Sequence, residues 1–383
     1  MISSVVSMLP LSVVHAGWTP PRRIAAYRRA GAPLRWATTR LGHHLEVPAL
    51  RTEITEIVTG LAMLGGDDLD ALLAGGRPGE LREVDDPTWE RLVAAREERE
   101  HGVDFLAAWN NGRAFLAADD GLRGRAPLLV EWTGGHRDPG DTVVPADLRV
   151  DHVFLVSCKY LSKVLHNASP EVLFDRCLTG GRPARSTLDW FDVVAPAQHQ
   201  ELYQLVRRHH ASHLDLPEAV DALTPSQRRE LRHAIPRAWD RECALGYERL
   251  ATAAAAASAA RWTEGLGGER ARAAMLWRLL RLSPAPYFVL GTSPAGVLRL
   301  RVGTPWDFNR AFRIRSFEVA AQPGGQPRVG WTAWVTGRDS GEDRCVEGHV
   351  EIRWSHGRFG GPPEAKVYLD TPATEVPGYW PLV

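Results

Sequence analysis

Lysine is scarce in this chain. Lys159, Lys163 and Lys366 stand among 46 basic residues, and the other 43 are arginine. Arginine replaces lysine wherever a surface needs only positive charge, but not where a compact ammonium is required. Lys159 lies in Ser157-Cys158-Lys159, downstream of Asp147. Asp147-Leu-Arg-Val reads as the end of one strand, Asp151-His152 as a tight turn, and Val153 to Lys159 as the next strand. Side chains alternate, so Ser157 and Lys159 share a face that Asp147 meets across the turn, while Phe154, Val156 and Cys158 face a core. A carboxylate there can hold a divalent cation through hard oxygens. Such a cation activates water and neutralises a phosphate, and an amine beside it stabilises developing negative charge. The same residues also suit an edge hairpin with an Asp turn and a surface lysine.

An aspartate near a strand end, a hairpin, then acidic-x-lysine on the next strand is the motif of the PD-(D/E)XK nuclease superfamily, which this sequence resembles over roughly residues 48–180. Pro145-Ala-Asp147 stands for the first half and Ser157-Cys158-Lys159 for the second, with serine at the acidic position. Some restriction enzymes of that superfamily share this departure and take the carboxylate from the following helix, where Glu171 stands here. The family often adds a glutamate from the helix before the sheet, matched by Glu53 or Glu56. The resemblance therefore implies Asp147, Ser157, Lys159 and Glu171 as catalytic residues. It implies Asp147, Glu171 and Glu53 as ligands of Mg²⁺ or Mn²⁺. It also implies a restriction-endonuclease-like mixed sheet flanked by helices.

A second cluster contains the third lysine. Glu347, His349, Glu351 and Arg353 share one face of an alternating run, and Glu364-Ala-Lys366 is itself Glu-x-Lys. In matched register, Glu351, Glu364 and Lys366 converge, either as a second candidate site or as the charged outer face of an antiparallel sheet.

Arg299, Arg301, Arg310, Arg313 and Arg315, interleaved with Trp306, Phe308 and Phe312, form the densest basic-aromatic stretch. Together with Lys163 it suits nucleic-acid contact; a packed sheet with an arginine-rich outer face is the other reading. Trp331 and Trp334 are expected in the core. Arg207-Arg208-His209-His210-Ala-Ser-His213 reads as a basic helix face rather than a metal site. No P-loop, no GxGxxG after a strand and no GxSxG occurs, which disfavours nucleotide hydrolysis, a Rossmann cofactor and a hydrolase serine.

The 383 residues carry 46 basic and 46 acidic side chains. This balance excludes a purely electrostatic nucleic-acid coat and leaves room for a local patch. Four cysteines without CxxC spacing argue against a zinc ribbon and fit a reducing cytoplasm. No apolar run reaches the ~18 residues of a membrane span. The expected architecture is α/β (α+β): an irregular or helical segment (1–47), a nuclease-like core (48–185), a helical region (186–283) and a β-rich C-terminal domain (284–383). Within the core, helices are expected over 50–64 and 87–99 and short strands over 103–160. The expected activity is Mg²⁺-dependent cleavage of DNA, in restriction or anti-phage defence, as a homodimer or with a partner protein of such a system. The alternatives are a non-catalytic nucleic-acid-binding or sensor subunit with a degenerate core, or a plain interaction scaffold.

Overall fold

The computed structural model describes residues 50–134, 144–160, 164–175, 189–293, 296–322 and 324–383. The segment 1–47 and Lys163 lie outside the described residues. The described chain opens with α1 (Leu50–Met63) and α2 (Leu69–Ala74), followed after a two-residue strand by α3 (Asp86–Glu98) and α4 (Gly102–Ala117). The apolar spacing of α1 buries Ile54, Ile57, Val58 and Leu61 completely. Asp85 caps α3, its carboxylate accepting from the Thr88 N–H at 2.8 Å.

Helix α4 corrects the expectation of strands from residue 103. Gly112 lets it lie directly on α1, since a Cβ there would stand 2.1 Å from the Thr59 carbonyl oxygen. The run Phe115-Leu-Ala belongs to this helix; so short a run does not separate helical from strand period.

The first sheet has seven strands. Their order is β1 (Leu81–Arg82), β2 (Val130–Trp132), β3 (Leu148–Val150), β4 (Phe154–Tyr160), β6 (Tyr287–Ser293), β7 (Gly296–Val302) and β12 (Tyr379–Pro381). Strands β2, β3 and β4 form an antiparallel meander, and β4 then pairs in parallel with β6. The β3–β4 turn is as expected. Asp151 and His152 have φ of +49° and +57°, and the Val153 N–H donates to Val150 O at 3.0 Å, a type I′ turn. One face of the sheet, through Leu148, Val156, Cys158 and Phe288, shares a core with α1 and α4. On the other face Leu155, Val289 and Leu300 join a second core.

That second core lies under β5 (Val164–Ala168), α5 (Pro170–Phe174), α6 (Trp190–Val194), α7 (Pro196–His210), α8 (Pro225–Ala234), α9 (Arg241–Gly265), α10 (Glu269–Leu279) and α11 (Pro305–Ala311). It is completed by β8 (Phe312–Gln322), β9 (Arg328–Gly337), β10 (Asp343–Arg353) and β11 (Glu364–Leu369). The second sheet is antiparallel in the order β5-β11-β10-β9-β8, and α9 lies against β8 and β9. Trp331 is buried, whereas Trp334, on the opposite parity of β9, is 42% exposed; the two-residue period cannot bury both.

The fold is mixed α+β. Residues 284–383 do not form a sheet of their own: β6, β7 and β12 complete the first sheet, and β8 to β11 join β5 in the second. Nor does everything in 48–185 stay with the first sheet, because β5 and α5 serve the second. Pairing between segments so distant in the chain leaves no trace in local patterning. Residues Glu46–Val383 form one compact unit. No helix of the described residues is long and apolar enough to cross a membrane.

Candidate active site

Asp147 lies one residue before β3 and is 4% exposed. Its N–H donates to Val156 O at 2.8 Å, which ties it to β4 next to Ser157. Its Oδ2 accepts from the Ser157 hydroxyl at 3.1 Å and from the Cys158 N–H at 2.7 Å. Ser157 is fully buried and Lys159, next on the same face, is half-buried. Lys159 pairs with Gly291 of β6. A Cβ at Gly291 would stand 2.0 Å from the Lys159 carbonyl oxygen, so the two strands close here only on glycine. The expected hairpin thus brings Asp147, Ser157 and Lys159 to one face.

Cys158 turns its thiol the other way, to Thr59 of α1. Burial pushes this thiol well above the usual range; the charges of Asp147 and Glu56 add to that, and the Lys159 ammonium opposes it. Glu56 accepts from Trp132 Nε1 at 2.6 Å, within the core on the α1 side of the sheet. The face of Asp147 and Ser157 also carries the β2–β3 pair Glu131 and Arg149, with Glu131 Oε2 3.0 Å from His152 Nδ1.

The expected ligand set of Asp147, Glu171 and Glu53 is not brought together. Glu53, 1% exposed, accepts from Arg91 of α3 at 2.7 Å. Glu171 sits in the first turn of α5, which packs on α9 and β11 with Leu173 and Phe174 in the second core. The cause is β5: it leaves the first sheet for the second and carries the following helix with it. Helix α1 does send a glutamate toward β4. It is Glu56, and it arrives beneath the strand rather than beside Asp147.

In the second cluster the expected register holds. Glu351 lies opposite Lys366 and Arg353 opposite Glu364. The carboxylates are already engaged by protein groups. Glu351 accepts from Arg328 at 2.8 Å and lies 3.5 Å from Arg353, while Glu364 is 3.8 Å from Lys366 and accepts from the Ser355 hydroxyl. Burial pushes the Glu351 carboxyl up, but Arg328 and His349 hold it below the usual glutamate range. This is a cross-strand charge ladder on a sheet face.

The basic-aromatic stretch is divided by the fold. Arg299 of β7 donates to Asn111 Oδ1 at 3.1 Å, and Arg301 lies over Trp380. Arg310 stacks on Trp306, which is 65% exposed, whereas Phe308 and Phe312 are core. Arg313 and Arg315 project from β8, the latter paired with Asp343. Among the described residues, two groups hold three metal-capable atoms within 4.8 Å of one another: Asp189, Asp192 and His199, and His210, Asp240 and Cys243. Asp189 caps α6 and Asp240 caps α9, so each group contains a helix cap, and neither includes Asp147. The carboxylate and thiol beside His210 come from the start of α9, out of reach of any local reading around residues 207–213.

One constellation carried no sequence signal. Arg232, Arg237, Tyr247, Trp354 and Arg358 surround a cleft of about 520 Å³. They come from α8, α9, the chain between them and the connection from β10 to β11, which no spacing rule links.

No family model, no curated protein and no solved structure matches this chain.

Proposed function

We propose that the chain is a metal-dependent endonuclease that hydrolyses DNA phosphodiester bonds. The observation carrying this reading is the corner of Asp147, Ser157 and Lys159: a buried carboxylate at a strand start, fixed by the next strand one residue before its lysine. The order helix, meander and hairpin around it agrees with the resemblance on which a role in restriction or anti-phage defence, as a dimer or with a partner, also rests.

Mg²⁺ is commonly held by one or two carboxylates and completed by substrate phosphate and water. Asp147 with the Ser157 hydroxyl fits that donor set, and Mg²⁺ bound there would neutralise phosphate charge and activate water. Ser157 and the Cys158 N–H hold the carboxylate in one orientation, which preorganises it for a cation. The Lys159 ammonium, half-buried on the same face, opposes negative charge that grows on the scissile phosphate.

The second reading is a non-catalytic nucleic-acid-binding or sensor subunit. It is favoured by Ser157 standing where a carboxylate would complete the motif and by Glu171 packing elsewhere. Cleavage of supercoiled plasmid with Mg²⁺ decides between the two. The nuclease reading expects Lys159→Ala and Asp147→Asn to lose about 10²-fold or more in rate, and Lys366→Ala to retain it. Salt-sensitive DNA binding without cleavage by the unmodified chain gives the second reading.

A further inference from the structure

The cleft lined by Arg232, Arg237, Tyr247, Trp354 and Arg358 shares no residue with the Asp147 corner. Its volume of about 520 Å³ lies within the ~300–1,000 Å³ of small-molecule sites. Three arginines converge on it, two from α8 and the chain just after it and one from beyond β10, and among the described residues no acidic one lines it. Arg358 lies over Trp239, its guanidinium carbon 3.7 Å from the ring centroid, and is tied down by donating to Pro236 O at 3.0 Å. Trp239, Tyr247 and Trp354 follow one another at 6.0 and 6.2 Å between centroids, tilted by 34° and 31°. The Tyr247 hydroxyl donates to Gln326 Oε1 at 2.6 Å. Burial pushes that phenol up to about 12, so it adds no negative charge at neutral pH. Gly357, at φ +92°, makes room for Arg232: a Cβ there would stand 2.9 Å from the Arg232 side chain.

Converging guanidinium groups call for an anion, and aromatic rings beside them call for a flat apolar partner. A ligand that joins the two is a phosphate linked through a sugar to an aromatic base. We propose that this cleft binds a nucleotide, with its base against Tyr247 and Trp354 and its phosphate among Arg232, Arg237 and Arg358, while Trp239 behind them seats Arg358. An acidic peptide would use the arginines but would leave the aromatic wall without a function. The nucleotide is either free or an unpaired unit of a nucleic-acid strand, and the site stands whether or not the Asp147 corner cuts.

The test uses the full chain carrying Asp147→Asn, so that no probe is consumed. Binding of dAMP, adenosine and inorganic phosphate is measured by calorimetry. Binding of a fluorescent twelve-residue single strand is measured by anisotropy. The expected result is binding that needs both base and phosphate and that weakens about tenfold or more in Arg237→Glu and in Arg358→Ala. Arg237 is exposed, so its variant reports binding even where loss of the Arg358 tie disturbs folding. Capture of dAMP assigns a free nucleotide; capture of the strand alone assigns an unpaired unit. Binding of neither, binding unchanged in both variants, or tighter binding of a glutamate-rich peptide overturns the proposal.

Discussion

The Ser157 hydroxyl of β4 donates to Oδ2 of Asp147, the residue just before β3, across 3.1 Å. The serine at the acidic position of the motif therefore orients the neighbouring carboxylate. Ser157→Ala should remove one charge-assisted bond and cost about 2 kcal/mol. Ser157→Asp should place a second carboxylate against the first in a fully buried position, which is costly without a cation. Thermal melts should show a larger loss for Ser157→Asp in chelator and substantial recovery in Mg²⁺. Equal loss in both conditions would show that no divalent cation enters this corner.

Cys158 should be inert in the folded chain. Burial and the charges of Asp147 and Glu56 raise its thiol well above the usual range, so almost no thiolate exists at pH 8. Alkylation with iodoacetamide, read by mass spectrometry, should leave Cys158 unmodified until denaturant is added, with partly exposed Cys345 reacting first. Rapid modification of native Cys158 would contradict the placement of β4 against α1.

The contact of α1 with α4 depends on Gly112. Alanine there would press its Cβ to 2.1 Å from the Thr59 carbonyl oxygen, and backbone cannot yield as a flexible side-chain end can. Overpacking of this kind costs about 1–3 kcal/mol. Urea unfolding of Gly112→Ala should show a lower midpoint with little change in slope. A midpoint like that of the unmodified chain would mean that the two helices separate without penalty.

Glu351 should contribute to acid stability. Despite burial, Arg328 holds its carboxyl below the ordinary glutamate value of 4.5, so its folded pKa lies below its unfolded one. Its stabilisation is therefore complete above that value and is lost as pH falls through the lower folded value. Urea midpoints at pH 7, 5, 4 and 3.5 should fall less steeply below pH 5 in Glu351→Gln than in the unmodified chain. Parallel curves would remove Glu351 from the account of acid unfolding.

The local patterns that proved readable share one property: their partners are close in the chain. The apolar spacing of residues 50–64 is α1, and alternation around Asp151-His152 yields the β3–β4 hairpin that brings Ser157 to Asp147. The same alternation places Glu351 opposite Lys366. Ser169 and Pro170 do start a helix, yet nothing near Glu171 announces that β5 belongs to another sheet. The pairing of Lys159 with Gly291 is equally silent, because it depends on a glycine whose reason is another strand's carbonyl. The aromatic wall of Trp239, Tyr247 and Trp354 exists only once α9 and β10 have met.

The parallel pairing of β4 with β6 has a consequence for synthesis. Until Tyr287–Ser293 leave the ribosome, the strand bearing Lys159 has an open edge on that side, and the whole helical region must be made in the interval. A nascent chain thus holds the Asp147 corner unfinished through about a third of translation, and ribosome-bound intermediates arrested before residue 287 should be the species most in need of chaperone protection.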